Sequence, residues 1–113
     1  MRQVIDIDLK DHIPPNATAL NTSNLGIRLR HASDIDELGK EYKELRILIP
    51  DQINAISTAF LQEFLANVKL SLGENSDGTQ HRVRLFRKGE EAFKPYLKDA
   101  IQMMYANEFS SIP

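Results

Sequence analysis

Residues 45–70 read LRILIPDQINAISTAFLQEFLANVKL, and two periodicities meet inside this stretch. It opens on a consecutive apolar triplet, Ile47, Leu48 and Ile49, closed by Pro50. Such a run predicts a strand covered on both faces, the central one of a parallel sheet. After the short connection DQINAI the spacing changes. Phe60, Leu61, Phe64, Leu65, Val68 and Leu72 follow i, i+3, i+4, which predicts a helix over 58–72, with Gly73 placed as a left-handed C-cap. A buried strand that passes straight into an amphipathic helix is the repeating unit of an α/β fold.

Toward the N-terminus, VIDIDLK sets Ile5, Ile7 and Leu9 on one face and Asp6, Asp8 and Lys10 on the other, the period-two signature of a half-exposed outer strand. Pro14 and Pro15 then break regular structure. From Thr22 the pattern turns helical: Thr22 or Ser23 can cap, and Leu25, Leu29 and Ala32 recur on one face. Ser33 with Asp36, or Asp34 with Glu37, has capping-box spacing, so residues 22–44 form one long helix or two shorter ones meeting near Ser33.

Toward the C-terminus, GENSDGTQ over 73–80 reads as an exposed loop, and HRVRLFR over 81–87 alternates as a strand closed by Gly89. Pro95 suits the first turn of a last helix, with Leu97, Ala100, Ile101 and Met104 facing inward. The terminal stretch ANEFSSIP stays unassigned, its Phe109 and Ile112 able to dock on the domain or on a second copy. Strand and helix alternate three times with short connections, which favours right-handed crossovers and a small, mostly parallel sheet with covering helices. A chain of 113 residues that is 42% hydrophobic builds one core but not two, so residues 1–113 are expected to form a single domain.

The formal charge of −2 gives no global field for a polyanion or an anionic membrane, and recognition is expected to be local. There is no cysteine, hence no disulfide and no thiolate chemistry. MRQVIDIDLKD carries acids where a signal peptide needs an apolar stretch, and no run approaches membrane-spanning length, so the cytoplasm is the expected location.

The stretch ISTAFLQEFLANV resembles the signature of the STAS-like bacterial domain family of unknown function, related to the sulfate-transporter and anti-sigma-factor-antagonist fold. The resemblance rests on Ile56, Ser57, Thr58, Phe60, Leu61 and Glu63, and residues 22–104 follow the family's element order. It implies a cytoplasmic bacterial signalling domain whose partner is another protein, an ATPase or kinase of the histidine-kinase-like type. In the antagonists the matching segment reads Asp-Ser-Ser-Gly, with the second serine phosphorylated by the partner. Aligned through Leu61, this chain has Ser57, Thr58, Ala59 and Phe60, so alanine holds the acceptor's place and Ser57 or Thr58 would be a displaced acceptor. A phosphate there would sit near free backbone N–H groups and alter the surface offered to a partner. The competing reading makes Ser57 and Thr58 an N-cap and its neighbour, worth about 1 kcal/mol.

The candidate partner-binding edge therefore comprises Asn54, Ser57, Thr58 and Gln62, with Asn24 nearby if the first helix packs beside the second. An alternative is nucleic-acid contact through Arg82, Arg84, Arg87 and Lys88 beside Phe86, extended by Arg28, Arg30 and His31. Glu90, Glu91 and the acids from Asp34 to Glu44 dilute that field and favour a solvated or salt-bridged strand face. No catalytic set emerges. His12, His31 and His81 share no ligand spacing, Asp6 and Asp8 lie on a solvated face, and Gly73 and Gly78 precede a strand rather than a helix, so neither metal nor cofactor is expected. The function expected is that of a non-catalytic regulatory or adaptor domain.

Overall fold

A computed structural model describes residues 2–68 and 82–110. The expected continuation of the helix over 69–72, its Gly73 cap, the loop 73–80 and Ile112 lie outside the described residues.

The main sheet is built from β1 (Arg2–Asp8), β3 (Tyr42–Leu48), β5 (Val83–Arg87) and β6 (Glu90–Glu91), in the order β1-β3-β5-β6. β1 and β5 run parallel to β3 on either side of it, and β6 returns antiparallel to β5. Lys88 and Gly89, both at positive φ (54° and 80°), make the tight turn between β5 and β6. The N-terminal strand is an edge and β3 an interior strand, as their patterns predict. A second, two-stranded parallel sheet pairs β2 (Ala19–Leu20) with β4 (Ala55–Ile56). It ties the chain leaving β3 to the chain entering the first helix.

Two expectations for β3 are corrected. It begins at Tyr42, so residues 42–44 belong to the strand and not to a helix. It is also covered on one face only: Leu45 and Ile47 are fully buried, while Arg46 is exposed and Glu44 and Leu48 are half-buried. Ile49 continues the buried side, its N–H donating to the Phe86 carbonyl at 2.7 Å. The apolar triplet is thus an ordinary alternation whose middle member, Leu48, faces the open side.

Among the described residues the α-helices pack on the other side. Ile7, Leu45, Ile47, Val83 and Leu85 join Phe60, Phe64, Leu97 and Ile101 in one core. Helix α1 (Ser23–Ser33) is capped by Thr22, whose Oγ1 accepts from the Leu25 N–H at 3.1 Å. Helix α2 (Ile35–Glu41) follows after Asp34, which sits in the left-handed region (φ 59°, ψ 27°). There are therefore two helices, but neither expected capping box forms. The reversal at Asp34 leaves its side chain without a cap bond, and the Ser33 hydroxyl donates back to the Arg30 carbonyl.

The inward face of α1 also differs from expectation, since Ala32 is exposed and Gly26 is buried beside Leu29. A Cβ at Gly26 would meet the Phe60 carbonyl at 2.5 Å, so α1 crosses helix α3 (Thr58–Phe64) at glycine, backbone against backbone. That crossing point decides which face turns inward. Helix α3 itself stops at Phe64, and Leu65 (φ −100°, ψ 5°) separates it from the helical residues 66–68. The Arg30 guanidinium donates to the Glu63 carbonyl at 2.8 Å, inserting a side-chain donor into the backbone ladder where the uninterrupted helix was expected.

The last helix, α4 (Lys94–Ser110), buries Leu97, Ala100, Ile101 and Met104 as predicted. It also extends the helix through residues 106–110, previously unassigned by pattern. Phe60 and Phe64 stack at 5.6 Å under it, with an interplanar angle of 13°.

Candidate functional site

Ser57 is the N-cap of α3: its backbone is extended, its Oγ accepts from the Phe60 N–H at 3.1 Å, and its own N–H donates to the Leu20 carbonyl at 2.9 Å. The β2–β4 pairing holds that geometry, because it fixes the residue immediately before the helix. The hydroxyl is therefore engaged, and the capping role read from the sequence is realised.

Thr58 occupies the first helical position and is half-buried. One turn on, Gln62 Nε2 lies 3.7 Å from the Met103 Sδ of α4. Thr58, Asp99, Gln102, Met103 and Ala106 line a shallow hollow of about 440 Å³ between α3 and α4. Met103 is 45% exposed although its neighbour Met104 is buried, and Tyr96, two turns earlier on the same side of α4, is 49% exposed. The structure brings Thr58 and Gln62 together, adds Met103 and Asp99, and leaves Asn54 out. Asn54 is exposed on the connection before β4, where its N–H donates to the Thr18 carbonyl at 2.8 Å. Helix α1, which carries Asn24 in its first turn, packs on α3 at Gly26.

The α4 contribution was not read from the sequence. Met103 and Met104 look alike there, and only the phase of the helix, set by Leu97, Ala100 and Ile101, shows that one of them must point out.

The carboxyl ends of β1, β3 and β5 frame a larger hollow of about 680 Å³ on the open face of the sheet. Asp6, Asp8, Arg46, Leu48, Phe86 and Lys88 are among its lining residues. Its charges are mixed, and Arg46 lies over the Phe86 ring at 5.6 Å while pairing with Glu44 at 3.1 Å. This is the sheet edge where open α/β folds offer binding surfaces, yet Ser57 and Thr58 take no part in it.

The basic residues of the β5 region do not form one patch. Arg82 donates to the Lys43, Tyr42 and Gly39 carbonyls, clamping the passage from α2 to β3. Arg84 bridges Glu44 at 3.0 Å and Glu91 at 3.2 Å on the open face. Arg87 leaves on the opposite face, donating to the Ile53 carbonyl at 2.7 Å and lying over the Phe93 ring. Lys88 sits exposed in the turn. Alternation along the strand sends Arg84 and Arg87 to opposite faces, and internal acceptors occupy the three guanidinium groups. Arg30, one of the suggested extensions, is directed to the Glu63 carbonyl and lies 4.0 Å from Asp36.

Among the described residues no three His, Asp or Glu side chains gather as a metal-binding group, and no helix is long and apolar enough to cross a membrane. Searches against family models, curated proteins and solved structures return no match to the chain.

Proposed function

We propose that this protein is a non-catalytic regulatory or adaptor domain that binds another protein through the surface where α3 meets α4. The observation that carries this reading is the convergence of Thr58, Asp99 and Gln102 with the exposed Met103 around one shallow hollow, with Gln62 in contact with Met103. A flexible thioether flanked by amide and carboxylate groups offers an adaptable apolar contact with a polar rim, the composition that protein interfaces use. The STAS-like resemblance supports the same surface, since it rests on the residues that open α3, and it suggests a kinase-like ATPase of a bacterial cytoplasm as the partner. Thr58 is then the position at which added charge would regulate binding, because Ser57 is engaged as the cap.

The test is affinity capture with the tagged protein at two salt concentrations and with nuclease, followed by reconstitution with the retained protein. Thr58→Glu and Met103→Glu should each weaken that purified complex at least tenfold while leaving thermal stability nearly unchanged. Binding untouched by both substitutions would remove this surface from consideration. Capture that disappears with nuclease or salt would favour a nucleic-acid role instead.

A further inference from the structure

The outer edge of β1 has no strand beside it among the described residues, and its charges, Arg2, Asp6 and Asp8, are of both signs, so they do not bar a partner of the same sequence. Its register with β3 runs unbroken from Val4 opposite Glu44 to Asp8 opposite Leu48, without a bulge. Residues 2–8 contain no proline and no lysine, the residues that commonly blunt an edge. Val4 is 42% exposed, and Ile5 packs only partly against the core.

The backbone parity of this edge is fixed by one hydrogen bond. The Leu9 N–H donates to the Leu48 carbonyl at 3.1 Å, so odd-numbered positions turn their backbone toward β3. Even-numbered positions, 2, 4, 6 and 8, present N–H and C=O groups outward, because successive residues of a strand alternate sides. An antiparallel partner must match even positions with even positions, which leaves few registers for a second copy of the same strand.

Centring the two-fold axis on Ile5 pairs every residue of β1: position 2 with 8, 4 with 6, and 5 with itself. Arg2 of each copy then falls opposite Asp8 of the other, and the two Ile5 side chains meet on the core side at a closely spaced, non-hydrogen-bonded position. Centring on Asp6 would set like charges against each other, and centring on Val4 would leave Asp8 beyond the paired segment. Charge complementarity and the number of backbone pairs select the same register.

We propose that β1 is a self-association edge, through which two copies join antiparallel into one continuous eight-stranded sheet. A two-fold axis perpendicular to the sheet keeps both helix layers on one side and both open faces on the other. The surface between α3 and α4 plays no part in this pairing.

Sedimentation velocity across a wide concentration range tests the proposal, with three variants. Asp6→Pro removes an outward N–H without touching a bond to β3. It should weaken self-association about tenfold or more while the protein stays folded by circular dichroism. Arg2→Asp should weaken association through its new repulsion with Asp8, and the double variant Arg2→Asp with Asp8→Arg should restore it. Restoration by the charge swap carries the test even if the proline variant folds poorly. A protein that stays monomeric throughout the range overturns the proposal, as does a dimer indifferent to Asp6→Pro and to Arg2→Asp.

Discussion

The two faces of the main sheet use the same three parallel strands for opposite purposes. On one face Leu45, Ile47 and Val83 are sealed against helices. On the other, Arg84 joins Glu44 to Glu91 and Arg46 lies across Phe86, with no described helix above them. Neighbouring residues of one strand therefore carry very different energies. The buried face loses transfer free energy and gains a void when truncated, whereas the open face exchanges ion pairs for hydration at little net cost.

The strongest challenge to this contrast is Phe64→Ala, which removes a fully buried ring stacked on Phe60. It should cost about 3–5 kcal/mol by chemical denaturation, and a negligible loss would displace α3 from the core. Within β3, Ile47→Ala should cost about 2–5 kcal/mol and Leu48→Ala clearly less, since only the first is fully buried. Equal losses would mean that both faces are covered. Gly26→Ala examines the helix layer itself: it should destabilise by about 1–3 kcal/mol, despite the ~1 kcal/mol that alanine gains over glycine in a helix, because the new methyl meets the Phe60 carbonyl. Arg84→Ala, on the open face, should change stability by less than about 1 kcal/mol, and by less again in high salt.

The sequence carried the alternation of β1, the inward stripe of α4 and the strand-to-helix handover at Ser57, because each is a local periodicity. It misled where a contact distant in sequence decides the outcome. The helix expected over 58–72 breaks at Leu65 beside a guanidinium that arrives from α1. β3 starts at Tyr42, where Arg82 gathers the carbonyls of Gly39 in α2 and of Tyr42 and Lys43 in the strand. The β2–β4 pair, two residues each, is too short to leave any period. For the candidate site, Thr58 and Gln62 were legible from their place at the start of a helix. Met103 was not, since its exposure depends on how α4 lies against its neighbours.

The topology also sets an order of events for the folding chain. In the main sheet, β1 pairs Arg2 with Tyr42 and β3 pairs Leu45 with Val83, so both central pairings close loops of about forty residues. Among the described residues only the β5–β6 hairpin, turning at Lys88 and Gly89, joins strands that are neighbours in sequence. Loop closure must be met before those distant pairings return any stability, which slows this chain relative to a helical bundle of its size. While β1 waits for β3, its apolar face and both of its backbone edges are exposed together, so dilute refolding should recover more protein than concentrated refolding.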